Sequence, residues 1–303
     1  MKAGDELDPL ARALAAKLAR ELGITADDTG IQTSPVEERS VWEVAQIDER
    51  VISGASGPVP VRTYRPSHAH ALPVLVYLHG GGWFSGNLDS VDANCREISA
   101  RAGCLVVSVS YSLAPAHKFP RALEEVDAVC QWLSLNAELI GGDRARIAIG
   151  GESAGATLAA SECLLARSHG RPAFVLQLLI YPVLNPHLDP TIVETNKDPI
   201  LSTRLLRSMW RHYTRSEADW DNFLVAPSKA KSLSGLPPAI IVTGGTDPLR
   251  HEGRDFASAL RRDGVSVLHR HYEGLFHGFF GLPHPLAQVA MQDVVDAVVD
   301  AFK

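Results

Sequence analysis

The chain has 303 residues, 46% of them hydrophobic and 21% charged, with a formal net charge of −6 and a pI near 6.0. A chain of this length can bury roughly three quarters of its unfolded surface, enough for one large core. It offers no basic face for counterion release from nucleic acid and no Lys/Arg cluster for anionic lipid, so neither is an expected partner. Arg204, Arg207 and Arg211 recur at helical spacing and read as a solvated face. The four cysteines, Cys95, Cys104, Cys130 and Cys163, lack CxxC or zinc-like spacing and read as reduced thiols packed as small hydrophobes in a cytoplasmic protein. Asp5, Glu6, Asp8, Lys17 and Arg20 argue against a signal-peptide core, and no apolar run reaches membrane-spanning length. A homodimer is neither required nor excluded.

The first expected element is a helix: Asp8 caps it, Pro9 takes the first position, Leu10, Leu14, Leu18 and Leu22 follow at four-residue intervals, and Gly23 stops it. A polar stretch leads into two alternating segments near 42–52 and 59–65, joined by the turn GASGPVP and read as an antiparallel pair. The rhythm then changes to short apolar strand, turn and helix. Strands are predicted at 73–79, 104–111, 146–151, 174–182, 239–244 and 265–272, with helices near 89–102, 120–137, 153–168, 248–262 and 287–302. Continuous apolar strands separated by helices predict an α/β fold whose mostly parallel sheet is covered on both faces. Residues 185–237 are too many for a crossover. They are read as a cap insertion over the sheet's C-terminal edge, joined there by the segment 1–45, with the core formed by 46–184 and 238–303.

In such a sheet, ligands bind at the carboxyl ends of the strands, so the residues just past each strand carry the chemistry. The strand near 146–150 runs into Gly151-Glu152-Ser153-Ala154-Gly155 and then a helix, the G-x-S-x-G pattern in its required setting. The pentapeptide alone also fits an ordinary glycine-rich turn. A dinucleotide fingerprint would need glycine at Glu152, and no P-loop lysine follows. Directly after the strand at 73–78 stand His79-Gly80-Gly81-Gly82-Trp83, whose glycines expose backbone N–H groups to an oxyanion.

A nucleophilic serine of this kind calls for an acid and then a histidine further along the chain. Asp247 stands at the tip of the strand 239–244, although Asp before Pro248 is also a common helix start. His277 lies in the loop after the last strand. His269 and His271 share one face of that strand and read as structural, and His68 and His70 lack a third ligand, so no metal site is expected. These residues predict a serine hydrolase. Ser153 attacks a carbonyl, His277 takes its proton, Asp247 orients His277, and the N–H groups of Gly81, Gly82 and Ala154 receive the oxyanion. In the insertion, Ser202 can cap a helix with Leu205, Leu206, Met209, Trp210 and Tyr213 on one face. That stripe either packs the insertion onto the sheet, or Leu206 and Trp210 face Trp83 across a substrate pocket.

HGGGW at 79–83, YSLAPAHKFPRALEE at 111–125, GESAG at 151–155, TDPLRHEG at 246–253 and FHGF at 276–279 together resemble the hormone-sensitive-lipase-like family of α/β-hydrolases, which includes many bacterial carboxylesterases. The resemblance runs from about residue 40 to the end. It implies an eight-stranded sheet, a helical cap, no cofactor, a triad on Ser153, Asp247 and His277, and oxyanion donors on Gly81, Gly82 and Ala154. Glu152 stands where Asp is common, and both acids are familiar there. Ser112 and Ala116 stand where the family has an Arg and a Glu, which implies that a structural charge interaction is lost. His251 stands where Asp is frequent. The expected activity is hydrolysis of small, short-acyl carboxylic esters. An amidase or deacetylase with the same triad is the runner-up, and a non-catalytic small-molecule receptor is disfavoured by the presence of His277.

Overall fold

The computed structural model describes residues 7–21, 42–54 and 57–303. Among the described residues there are eight strands: β1 (Gln46–Gly54), β2 (Gly57–Arg65), β3 (Leu72–Leu78), β4 (Leu105–Val109), β5 (Gly142–Glu152), β6 (Gln177–Ile180), β7 (Ala239–Gly244) and β8 (Val267–Tyr272). They form one sheet in the order β1-β2-β4-β3-β5-β6-β7-β8. The first two pairs, β1 with β2 and β2 with β4, are antiparallel and the rest parallel. The helices are α1 (Pro9–Glu21), α2 (Asp92–Ala102), α3 (Arg121–Asn136), α4 (Ala154–Ser168), α5 (Pro190–Thr195), α6 (Thr203–Tyr213), α7 (Arg250–Arg262) and α8 (Pro285–Ala301).

The central strands read as unbroken apolar runs because both their faces are covered. Along β3 the side chains alternate between two cores. Val74, Val76 and Leu78 meet α3, α4 and α7 on one face, while Leu75 and Tyr77 meet α1, α2 and α8 on the other. Strand β6 ends at Ile180, short of the expected 182, because Tyr181 takes a left-handed backbone (φ 36°) and turns the chain away.

The chain between β6 and β7 carries α5 and α6. Helix α6 begins at Ser202, whose hydroxyl accepts the Leu205 N–H at 3.1 Å. It buries Leu206, Met209, Trp210 and Tyr213 against the α3/α4 core while Arg204, Arg207 and Arg211 face out. Helix α5 was not foreseen: its signal is only Asp189-Pro190, with the Asp189 carboxylate accepting the Thr191 N–H at 2.8 Å. At the start of the chain Asp8 caps α1 as expected, accepting the Ala11 N–H at 2.9 Å, and Leu14 lies in the core with Phe276 and Phe279. Leu22 and Gly23, read as the helix's last leucine and its stop, lie outside the described residues, as does the polar stretch that follows. Among the described residues no helix is long and apolar enough to cross a membrane.

Candidate active site

After β3 the chain crosses to β4 on one side, and β5 then pairs with β3 on the other. The crevice at the ends of β3 and β5 is therefore where the strand order reverses, the position at which open α/β sheets bind ligands. His79–Trp83 leave β3 there, and Gly151–Gly155 leave β5.

Ser153 sits on the sharp turn between β5 and α4 with φ 53° and ψ −119°, a backbone conformation that costs a non-glycine residue about 1–3 kcal/mol. The turn is held by the Ser153 N–H donating to Ile180 O at 2.9 Å and by the Thr157 N–H donating to Ser153 O at 3.1 Å. Gly155 is required by proximity, since a Cβ there would come 2.1 Å from Leu78 O. With no Cβ, the start of α4 closes onto the tip of β3 and brings the two motifs together.

The Ser153 hydroxyl lies 2.9 Å from His277 Nε2, and His277 Nδ1 lies 2.9 Å from Asp247 Oδ2. All three residues are buried, Asp247 completely. The Asp247 turn and the His277 loop are stitched together by backbone bonds from Gly245 N–H to Tyr272 O and from Thr246 N–H to Leu275 O. Burial alone would push the His277 imidazole down. The charge and hydrogen bond of Asp247, joined by Asp198 and Glu152, outweigh that and hold it above its ordinary value. The arrangement can take a proton from a serine hydroxyl and stabilise the imidazolium that results.

Among the described residues, the N–H groups of Gly81, Gly82 and Ala154 have no acceptor. The loop that carries the first two is folded on itself, with Phe84 N–H, Ser85 N–H and the Ser85 hydroxyl all donating to Gly81 O. Gly82, at φ +62°, has no room for a side chain, because a Cβ would meet Met209 Cγ at 2.7 Å. The YSLAP segment braces this loop. The Tyr111 hydroxyl donates to His79 O at 2.7 Å while its ring stacks on His79, and the Ala114 N–H donates to Trp83 O at 2.8 Å. Lys118 ties the same segment to the insertion by donating to Arg211 O and Thr214 O at the end of α6. Neither Ser112 nor Ala116 carries a charge, and Ser112 is held by hydrogen bonds instead. Buried Glu125 accepts from both the N–H and the hydroxyl of Ser112 and pairs with Arg121 at 2.7 Å.

Trp83 and Trp210 do come together, with ring centroids 4.7 Å apart, and Trp83 stacks on Tyr213 at 4.3 Å. Trp83 and Leu206 are 0% exposed and Trp210 is 1% exposed. All three belong to one core cluster, and it is Met209 of α6 that approaches Gly82. His269 and His271 both bond the Thr243 hydroxyl, at 3.0 and 2.9 Å, away from Ser153.

Three residues of the site were not foreseen. Asp198, from the β6–β7 connection, accepts the backbone N–H of His277 at 2.7 Å. Tyr181 packs its ring 4.7 Å from the His277 ring and donates to Glu152 at 2.7 Å; burial, then Glu152, raise its phenol so that it stays a donor. Glu152 also accepts from Tyr77 and Asn94, each at 3.1 Å. Glu252 in α7 accepts the N–H groups of Leu184 and Asn185 and so pins the entry to the connection; burial pushes its carboxyl up to about 8 despite those bonds. None of the three had a signal in the sequence; Tyr181 falls inside the strand expected at 174–182 and is placed past a strand end only because β6 stops at Ile180.

A doubly covered, mostly parallel sheet with a serine on a sharp strand-to-helix turn, a histidine and an acid at its C-terminal edge defines an α/β-hydrolase. Residues 75–281 match the family model described as alpha/beta hydrolase fold. The chain is 38% identical to the carboxylic ester hydrolase LipN of Mycobacterium tuberculosis over 297 residues, 92% of this chain and 78% of that protein. It is likewise 38% identical to the esterase LipI of the same organism over 243 residues, 78% of this chain and 75% of that one. Among solved structures it resembles the Pyrobaculum calidifontis esterase with a TM-score of 0.87 and 30% identity, over 98% of this chain and 100% of that one. The chain belongs to the hormone-sensitive-lipase-like family of α/β-hydrolases.

Proposed function

We propose that the chain is a serine carboxylesterase that hydrolyses small, short-acyl carboxylic esters. The observation that carries this reading is the unbroken line of hydrogen bonds from Asp247 through His277 to Ser153, each 2.9 Å long. Ser153 Oγ attacks the ester carbonyl as His277 Nε2 takes its proton, and the tetrahedral oxyanion is received by the N–H groups of Gly81, Gly82 and Ala154. His277 then gives the proton to the leaving alcohol, and water enters by the same route to cleave the acyl-enzyme. The esterase relatives support ester over amide substrates.

Helix α1 and the chain between β6 and β7 act as the cap of this site. Trp83, Leu206 and Trp210 belong to that cap interface. Their complete burial supports a role in bracing the Gly81–Gly82 loop ahead of direct contact with substrate. A cytoplasmic setting goes with the four cysteines, all free and buried. A panel of p-nitrophenyl esters of increasing chain length, run beside the matching anilides, tests the proposal. Turnover that peaks at short acyl chains supports it. Cleavage of anilides with ester turnover near background would replace it with an amidase.

A further inference from the structure

Asp198 lies 79 residues before His277 in the chain, is 8% exposed, and has no Lys or Arg ion-pair partner among the described residues. Its carboxylate is nevertheless fully engaged. One oxygen accepts the Ile200 and Leu201 N–H groups at 2.9 and 2.8 Å, and the other accepts the His277 N–H at 2.7 Å. Asn196 locks the turn from the opposite side, accepting the Asp198 N–H at 2.9 Å and donating to Leu201 O at 2.7 Å. A buried acid that spends one oxygen on the backbone of the candidate base, from a segment outside the core sheet, is more than a turn former. Burying a carboxylate without a cation is costly, and hydrogen bonds from backbone N–H groups offset only part of that cost.

We propose that Asp198 is a positioning residue through which the cap sets both the placement and the basicity of His277; this rests on the reading of His277 as general base. The bond to the His277 N–H fixes the height of its loop, and the carboxylate adds a second negative charge beside the imidazole. The charged groups facing His277 are Asp247 from the turn after β7, Glu152 from the end of β5, and Asp198 from the cap, with the neutral Tyr181 phenol between β6 and the ring. Burial and the nearby Asp247 charge raise the Asp198 carboxyl, while His277 pulls it back down. The Asp198 carboxylate and the His277 imidazolium therefore favour each other.

The test is the pH dependence of kcat/KM in Asp198→Asn and Asp198→Ser. Both remove the charge, and both retain an oxygen that can accept a backbone N–H. If Asp198 tunes His277, the acidic limb moves to lower pH by about one unit, and kcat falls more than KM rises. Asp198→Glu, which restores charge at a longer reach, should return the limb towards the wild-type position. An acidic limb unmoved in a folded variant would overturn the proposal, as would failure of both variants to fold, which would make Asp198 a structural acid only. If wild-type activity had no acidic limb at all, the general-base reading of His277 would fall instead, so the two failures are distinct.

Discussion

Asp247 accepts the backbone N–H of Leu249 at 2.8 Å with one carboxylate oxygen while the other lies 2.9 Å from His277 Nδ1. Helix α7 begins at Arg250 with Leu249 at its N-cap and no side-chain cap, so Asp247 closes a turn ahead of the helix and does not cap it. The local bond holds the carboxylate so that the second oxygen keeps facing the imidazole.

An amide at this position would satisfy Leu249 with its oxygen and turn its NH2 towards His277. Nδ1 would then have to accept, leaving Nε2 protonated and unable to take the Ser153 proton. Asp247→Asn is expected to keep its fold and lose about 10⁴-fold in kcat. Asp255, whose side chain is 68% exposed and paired with Arg254, should tolerate the same change without loss. Steady-state kinetics of the two variants check this, and the reverse pattern would move the acid to α7.

The pH profile follows from the charges around His277. Only the neutral imidazole can accept the serine proton, and its protonated form is favoured by Asp247 despite burial. Activity should therefore fall as pH drops through a midpoint above the ordinary imidazole value of about 6.5. A kcat/KM limb centred below that value would mean that burial outweighs the carboxylates.

Gly82→Ala separates loop geometry from backbone strain. A Cβ at Gly82 collides with Met209, whereas Gly103, at a similar φ of +65°, has nothing within 4 Å. Gly82→Ala should displace the N–H groups of the loop and reduce kcat by about 10²–10³, while Gly103→Ala leaves turnover unchanged. Equal, small effects would remove the Gly81–Gly82 loop from the mechanism.

Trp210→Ala opens the aromatic block that Trp83, Trp210 and Tyr213 form. A fully buried tryptophan lost to alanine costs about 3–5 kcal/mol, so a clear drop in melting temperature is expected. Leu206→Ala should cost about 2–5 kcal/mol. If both side chains brace the loop, the order of preference across ester chain lengths stays parallel to wild type. A shift towards bulkier esters, measured below the melting temperature, would return them to the substrate pocket.

Much of this was legible in the sequence because the central strands are buried on both faces and read as unbroken apolar runs. The strand ends then point directly to His79–Trp83, Ser153 and Asp247. Helix α6 was legible from its stripe, but a stripe says that one face is covered and not what covers it. The stacking of Trp83 on Tyr213 depends on the left-handed turn at Trp83 (φ 63°), which no periodicity encodes. Asp198 was out of reach for a different reason. It acts on a backbone N–H far along the chain, and a backbone N–H leaves no mark on residue identity. The short α5 had a cap signal but too few residues to display a period.

The claim on which everything else depends is that Ser153 is the nucleophile, and intact-protein mass spectrometry after treatment with a fluorophosphonate tests it most directly. The account predicts one adduct per chain, mapped to the peptide containing Ser153, with loss of ester turnover in step with labelling. Ser153→Ala should take up no label and retain at most a residual acceleration of roughly 10³–10⁴ over water. Labelling at another residue, or more than a few per cent of wild-type turnover in Ser153→Ala, would contradict it.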